Sequence, residues 1–145
     1  MKNLEDKLSG SYYTPIQIVQ FMKKYLAGEQ KKYSKVLEPS VGDGRFVDVF
    51  EKEECIQKMV AVELVEDKVS QLESKGYSDH IEIVADDFLN FSEKTNEKYQ
   101  LIIGNPPYIN IKNMENDAKE KAKKICSRYQ LPHSLMQNMW VAFVL

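Results

Sequence analysis

An α/β fold built on a parallel, doubly wound sheet is predicted by three observations. From Lys35 onward, short apolar runs alternate with helix-patterned stretches, the pattern of strands joined by right-handed crossovers. The first run opens into a glycine-rich turn, and the fourth stops against two prolines. Four such runs are visible, with expected order 3-2-1-4.

The 145 residues suit one domain with a real core. An apolar fraction of 43% beside a charged fraction of 29% is that of an ordinary soluble protein. The start, Met1-Lys2-Asn3-Leu4-Glu5-Asp6, lacks a signal-peptide core, and no run approaches the length of a membrane span. Cys55 and Cys126 have no CxxC context, and His80 and His133 stand alone, so no metal site is expected and a reduced cytoplasm fits. A net charge of −2 is not the footprint of a free-standing DNA binder.

The first 28 residues read as a helical segment that closes a pocket. Leu4 and Leu8 form one apolar turn that Ser9-Gly10-Ser11 breaks. In Tyr12-Tyr13-Thr14-Pro15-Ile16-Gln17, Thr14 is the expected N-cap, Pro15 the first helical residue and Gln17 the end of a capping box. The helix should carry Ile18, Met22, Tyr25 and Leu26 on its buried face and stop at Gly28. Tyr13 and Thr14 fit plain helix entry, or an aromatic ring and a hydroxyl closing a ligand site.

Residues 35–108 read as the βα core. Lys35 to Glu38 is the first strand, followed by Pro39-Ser40-Val41-Gly42-Asp43-Gly44. Gly42 and Gly44, between strand and helix, let the backbone approach a ligand closely. The third glycine of the dinucleotide fingerprint is absent, with Val47 in its place, which argues for a nucleoside ligand without pyrophosphate. Phe46, Val49 and Phe50 stripe the next helix. Met59 to Glu63 is the second strand, closed by an acid placed to bind ribose hydroxyls. Val65, Val69 and Leu72 mark a helix stopped by Gly76. Ile81 to Ala85 is the third strand, ending in Asp86-Asp87-Phe88-Leu89, either an acid and ring for an adenine or an Asp-rich helix cap.

Tyr99 to Ile103 is the fourth strand, ending in Gly104-Asn105-Pro106-Pro107-Tyr108. Neither proline can donate to a ladder, and each stiffens its predecessor. An amide, a carbonyl and a flat ring are thus presented at a strand's carboxyl end. The Asn105 side-chain oxygen and the Pro106 carbonyl could each accept a hydrogen of an exocyclic aromatic amine, freeing its lone pair for attack. Tyr108 could stack on the base, a contact worth about 1–3 kcal/mol. Alone, the four residues fit a Pro-Pro turn equally well.

Residues 109–145 read as linker and following helix. Lys112 to Lys124 is charge-rich, the pattern of a solvated face or of a mobile lid near a nucleic-acid backbone. Ser134 and Gln137 form a second capping box opening a helix that still runs at Leu145.

Together these motifs resemble the S-adenosylmethionine-dependent adenine-N6 DNA methyltransferases, specifically the gamma class of bacterial restriction-modification systems. Tyr13-Thr14-Pro15 is similar to the family's aromatic-Thr-Pro segment, and Val36 to Gly44 to its cofactor loop. Glu63 matches the ribose-binding acid, Asp87-Phe88-Leu89 the adenine-side acid, and Asn105-Pro106-Pro107-Tyr108 the catalytic motif. Asn138 to Phe143 looks like the helix that follows catalysis. The resemblance implies a Rossmann-like methyltransferase fold and S-adenosylmethionine as cofactor. It implies cofactor contacts from Tyr12, Tyr13, Thr14, Glu38, Pro39 and Ser40, from the Gly42 and Gly44 turn, and from Glu63 and Leu64. Asp86, Asp87 and Phe88 complete that set with Asn105 and Pro107, and Asn105, Pro106, Pro107 and Tyr108 are the implied catalytic residues.

The resemblance implies three further strands and a target-recognition domain that these 145 residues do not contain, so the doubly wound sheet reads as a truncated one. The chain is therefore expected to be the N-terminal, cofactor-binding part of such an enzyme, meeting double-stranded DNA through missing parts and self-associating through an open sheet edge. A protein-glutamine or ribosomal-RNA methyltransferase can carry the same Asn-Pro-Pro-Tyr motif, and a non-catalytic nucleoside-binding or interaction module is the alternative from another class.

Overall fold

The structure, a computed structural model, describes residues 12–28 and 31–145. The expected turn at Leu4 and Leu8 and its break at Ser9 to Ser11 lie outside the described residues.

Four parallel strands form one sheet in the order β3-β2-β1-β4, as the alternation predicts. β1 (Val36–Glu38) pairs with β2 (Met59–Glu63) on one side and β4 (Leu101–Ile102) on the other, and β2 pairs with β3 (Ile81–Ala85). β1 and β2 are buried along their whole lengths, as the central strands of a parallel sheet must be. β4 is shorter than the run Tyr99 to Ile103, because the strand beside it offers only three residues. Bonds from the Gln100 amide to the Lys35 carbonyl and from the Ile103 amide to the Leu37 carbonyl, both 2.9 Å, extend the pairing at each end.

Among the described residues α1 (Ile16–Gly28) precedes the sheet, and α2 (Arg45–Phe50), α3 (Glu66–Ser74), α4 (Phe88–Lys94), α5 (Asn116–Arg128) and α6 (Trp140–Val144) join or follow its strands. The described residues group into two compact units. One holds Tyr13–Phe88 and Thr95–Asn105, and with them the whole sheet. Its core joins Val19 of α1, Val36, Phe46, Val47, Phe50, Met59 and Leu72. Each such side chain taken fully out of water stabilises the fold by about 1.5–3 kcal/mol. The other unit holds Tyr12, Leu89–Lys94 and Pro106–Leu145. There α5 buries Ala122, Ile125 and Cys126 at i, i+3 and i+4, with Lys121 paired to Asp117 and Lys123 to Glu120. The charge run from residue 116 on lies on this helix, with Lys124 exposed and Lys119, Lys121 and Lys123 half-buried. Among the described residues no helix is long and apolar enough to cross a membrane.

Three local expectations are corrected. α1 opens one residue later than its capping box predicts, with the Ile18 and Val19 amides both bonded to the Pro15 carbonyl. Its buried stripe is Val19 with Met22 and Leu26, while Ile18 and Tyr25 are 50% and 64% exposed. The helix is apolar nearly all round, so periodicity could not choose its inner face. The helix expected from Ser134 begins only at Trp140. His133–Leu135 is a single 3-10 turn, and the Gln137 side chain donates to the Ser134 carbonyl instead of closing a box. Backbone pairing wins at this point. Asn138 bridges Asn110 antiparallel, with the Ile111 amide on the Gln137 carbonyl at 3.0 Å and the Met139 amide on the Ile109 carbonyl at 2.8 Å.

Candidate active site

Glu38, Glu63, Asp86 with Asp87, and Asn105 follow or close the carboxyl ends of β1, β2, β3 and β4. Strands neighbour one another at about 4.8 Å, so these ends span roughly 14 Å along one rim of the sheet. The connection reverses between β1 and β4, the place where open α/β sheets bind ligands. Four of the five groups are carboxylates, which suits a cationic ligand rich in hydroxyls better than a pyrophosphate.

The glycine turn after β1 is held from both sides. Gly42 and Gly44 have φ of 62° and 86°, left-handed values that disfavour any other residue. A Cβ on Gly44 would also meet Leu72 Cδ2 at 2.6 Å. Behind this turn Lys75 donates to the Asp43 carbonyl and pairs with Asp48, which also receives the Tyr77 hydroxyl at 2.5 Å. Burial, with the Asp48 bond second, pushes the Tyr77 hydroxyl far above its ordinary range. In front, Glu63 reaches across from β2. It is 7% exposed and accepts the Gly42 amide at 2.8 Å and the Val65 amide at 2.9 Å. Each carboxylate oxygen keeps a further lone pair, so Glu63 can hold the turn and still accept from a hydroxyl.

Glu38 is fully buried. Its Oε1 takes one long bond from the Ser40 amide at 3.4 Å, and its Oε2 has no hydrogen-bond partner among the described residues. Burial raises its pKa well above the ordinary 4.5, with the Ser40 amide opposing and the Glu63 charge adding. Gly104 makes room for it. A Cβ at that position would overlap Glu38 Oε1 and stand 3.1 Å from Pro39 Cδ. The Ser40 hydroxyl then donates to the Asn105 carbonyl at 3.2 Å, tying the turn after β1 to the motif after β4.

Tyr13 lies against the glycine turn, its Cε1 3.1 Å from where a Gly42 Cβ would stand. The Arg45 guanidinium, 5.7 Å from the Tyr13 ring centre, donates to the Thr14 carbonyl at 2.9 Å. After β3, the Asp86 amide bonds to the Glu63 carbonyl, and Asp86 Oδ1 takes the Asp87 amide at 2.8 Å, so Asp86 caps the turn into α4. Leu64 is 67% exposed beside Glu63, an apolar surface at the rim. In the other unit Pro106 and Pro107 lead to Tyr108, 54% exposed, against which Tyr12 stands edge-on at 6.3 Å. Arg45, Lys68 and Gly104 were missed by sequence reasoning. The signal for Gly104 was available, since a glycine inside an apolar strand run marks a close approach. Among the described residues no three His, Cys, Asp or Glu side chains are grouped to hold a metal ion.

A parallel sheet in this order, with a glycine turn after the first strand and an acid closing the second, is a Rossmann-like methyltransferase fold. The model of the Eco57I restriction-modification methylase family matches residues 12–145, and the chain belongs to that family. The type II methyltransferase M.CvrRI of Paramecium bursaria Chlorella virus XZ-6E is 31% identical over 68% of this chain and 24% of its own length. M.XamI of Xanthomonas campestris pv. amaranthicola is 25% identical over 94% of this chain and 27% of its own. M.HincII of Haemophilus influenzae is 30% identical over 79% and 20%. The chain therefore spans about a quarter of the length of these relatives. A solved rRNA methylase from Streptococcus thermophilus aligns with 84% of this chain and 67% of its own, at 20% identity and a TM-score of 0.48.

Proposed function

We propose that this chain is the cofactor-binding and catalytic part of a DNA adenine-N6 methyltransferase that uses S-adenosylmethionine, working in the cytoplasm within a restriction-modification system. Glu38 carries the reading. A buried carboxylate with one oxygen unpartnered is costly, and an ammonium group is the partner that best relieves it. Glu38, beside the strand that leads into the Asn-Pro-Pro-Tyr motif, would pair with the amino group of the cofactor's methionine portion.

When bound, S-adenosylmethionine supplies a methyl group made electrophilic by its sulfonium. Glu38 accepts from the ammonium, and Glu63 accepts from ribose hydroxyls with its spare lone pairs. Asp87 accepts from the adenine amino group, with Leu64 and Phe88 flanking the ring, and Tyr13 closes the pocket over the Gly42 turn. Asn105 Oδ1 and the Pro106 carbonyl accept the two hydrogens of the target amine, drawing its nitrogen toward tetrahedral geometry. Tyr108 stacks on a target base that has left its duplex, as base-modifying enzymes require. Half of the Tyr108 surface is open to receive it. Contacts to double-stranded DNA come chiefly from the parts present in the longer relatives, consistent with the net charge of −2 on these residues.

Calorimetric titration of the chain with S-adenosylmethionine tests the cofactor assignment, and one-site binding is expected. In the full-length protein, methyl transfer to double-stranded DNA with the label on adenine N6 is expected, and transfer to a release-factor protein or ribosomal RNA instead would overturn the substrate assignment.

A further inference from the structure

Arg45 is the first residue of α2, directly after the left-handed Gly44, so its backbone belongs to the glycine turn. Its side chain leaves that turn and engages the segment before α1. Nη1 donates to the Thr14 carbonyl at 2.9 Å, Nε pairs with Asp43 Oδ2 at 2.7 Å, and the guanidinium stands 5.7 Å from the Tyr13 ring centre. The Lys68 ammonium approaches the same ring at 5.6 Å, and the ring packs over Gly42. A planar fork that can bond two acceptors while facing a ring is a property of arginine that lysine lacks. The Asp43 carboxylate fixes the fork at its base, so the remaining N–H groups are aimed outward at Tyr13 and Thr14.

We propose that Arg45 is a positioning residue that latches the Tyr13-Thr14 segment onto the glycine turn, and that this latch sets the residence time of the bound nucleoside cofactor. The inference rests on the S-adenosylmethionine reading above. Arg45 makes no contact with the reacting atoms. It acts by holding the segment whose ring covers Gly42. With the latch open, that segment must be ordered anew at each binding event, and release no longer waits for a charge-assisted bond to break.

The test is the dissociation rate of S-adenosylhomocysteine, the demethylated form of the cofactor, measured by stopped-flow on the wild-type chain and on Arg45→Met, Arg45→Lys, Tyr13→Ala and the Arg45→Met/Tyr13→Ala pair. Loss of one charge-assisted bond should raise the rate about tenfold in Arg45→Met. Arg45→Lys, which keeps the charge and loses the fork, should fall between that variant and wild type. Melting temperatures should change little, because an exposed ion pair contributes at most about 1 kcal/mol to folding, and association should be no faster than in wild type. The pair should dissociate no faster than the quicker of the two single variants, since both break one unit. Additive effects in the pair, or an unchanged rate in Arg45→Met, would overturn the latch. Hydrogen exchange at the Tyr13, Thr14 and Ile16 amides in the free chain supplies a readout that needs no ligand. Exchange should quicken in Arg45→Met, and equal exchange would overturn the latch as well. Should the wild-type chain not bind S-adenosylhomocysteine, the cofactor reading fails by itself and the exchange comparison decides whether Arg45 holds the segment.

Discussion

Replacing Glu38 by Gln should stabilise the free chain and weaken its hold on the cofactor. Glu38 is fully buried with Oε2 unpartnered, and its pKa is raised by burial. Folding therefore favours its protonated form. The stability linked to this group is fully present below the unfolded value near 4.5 and is lost as pH rises through the higher folded value. Glutamine imitates the protonated acid and does not titrate. An unsatisfied buried group costs about 1–3 kcal/mol, and more when charged. At about 3 °C per kcal/mol for a chain of this size, Glu38→Gln should melt roughly 3–9 °C above wild type at pH 7.5. The difference should shrink toward zero at pH 4, where both side chains are neutral. Cofactor binding should move the other way. Exchanging a charge-assisted bond for a neutral one removes up to about 1.5–3 kcal/mol, a 10- to 150-fold rise in Kd. Calorimetric melting across pH 4–8, paired with titration calorimetry, measures both quantities. A variant less stable than wild type at pH 7.5, or one binding S-adenosylmethionine equally well, would refute the role given to the unpaired oxygen.

Further outcomes follow from the same rim. Glu63→Ala should destabilise the free chain by about 1.5–3 kcal/mol in denaturant unfolding as well as weaken binding, because Glu63 holds the Gly42 and Val65 amides. Unchanged stability would show that the two bonds carry nothing. Asn105→Ala in the full-length protein should lower kcat on DNA by about 10²–10³, the loss typical of a group aimed at the reacting centre, while cofactor titration stays near wild type. Normal turnover would remove Asn105 from catalysis. Tyr108→Phe should keep wild-type capture of a flipped base, and Tyr108→Ala should raise the DNA KM by about 1–3 kcal/mol of lost stacking. Equal KM values in the two variants would refute stacking. β4 is an edge strand with Ile102 58% exposed, so the chain should associate at micromolar concentration and Ile102→Lys should suppress this in light scattering. A wild-type monomer under those conditions refutes edge pairing.

The central architecture could be read from the residues because local and global signals agreed. Met59–Glu63 and Ile81–Ala85 are continuous β-rich runs between breakers, and their bounds match the strands observed. Alternation called for a parallel doubly wound sheet with right-handed crossovers, and the order expected for it, 3-2-1-4, is the one observed. Legibility failed where pattern left a choice. Apolar residues at 16, 18, 19, 21, 22, 25 and 26 surround α1, and only packing into the core that also holds Phe46 and Phe50 selects Val19. The Ser134 capping box was a sound local signal overruled by pairing with residues 109–111, about 25 positions away, which no window of sequence contains. At the strand ends, the positions of the acids were readable and the hydrogen bonds they make were not. Glu63 was expected as a ligand acid, and its amide partners show that it holds the turn. Arg45 carried no motif, because its importance lies in reaching a segment 31 residues earlier.

Gly104 and Gly44 would both suffer from an added methyl group, yet their defects should respond differently to repair. Gly44 has φ of 86°, so alanine there is strained by its own backbone, and trimming a neighbour cannot relieve it. Gly104 has no such constraint. Its alanine collides chiefly with the carboxylate of Glu38, an atom group on another strand. Glu38→Asp, one methylene shorter, withdraws that group, leaving Pro39 Cδ at 3.1 Å to yield a few tenths of an ångström. Gly104→Ala should therefore be open to suppression by a second-site change at position 38, with fold restored and the anchoring acid retained in shortened form. Gly44→Ala should have no suppressor among its neighbours. The two glycines thus separate a lesion of conformation, which stays with its residue, from a lesion of space, which a partner can absorb.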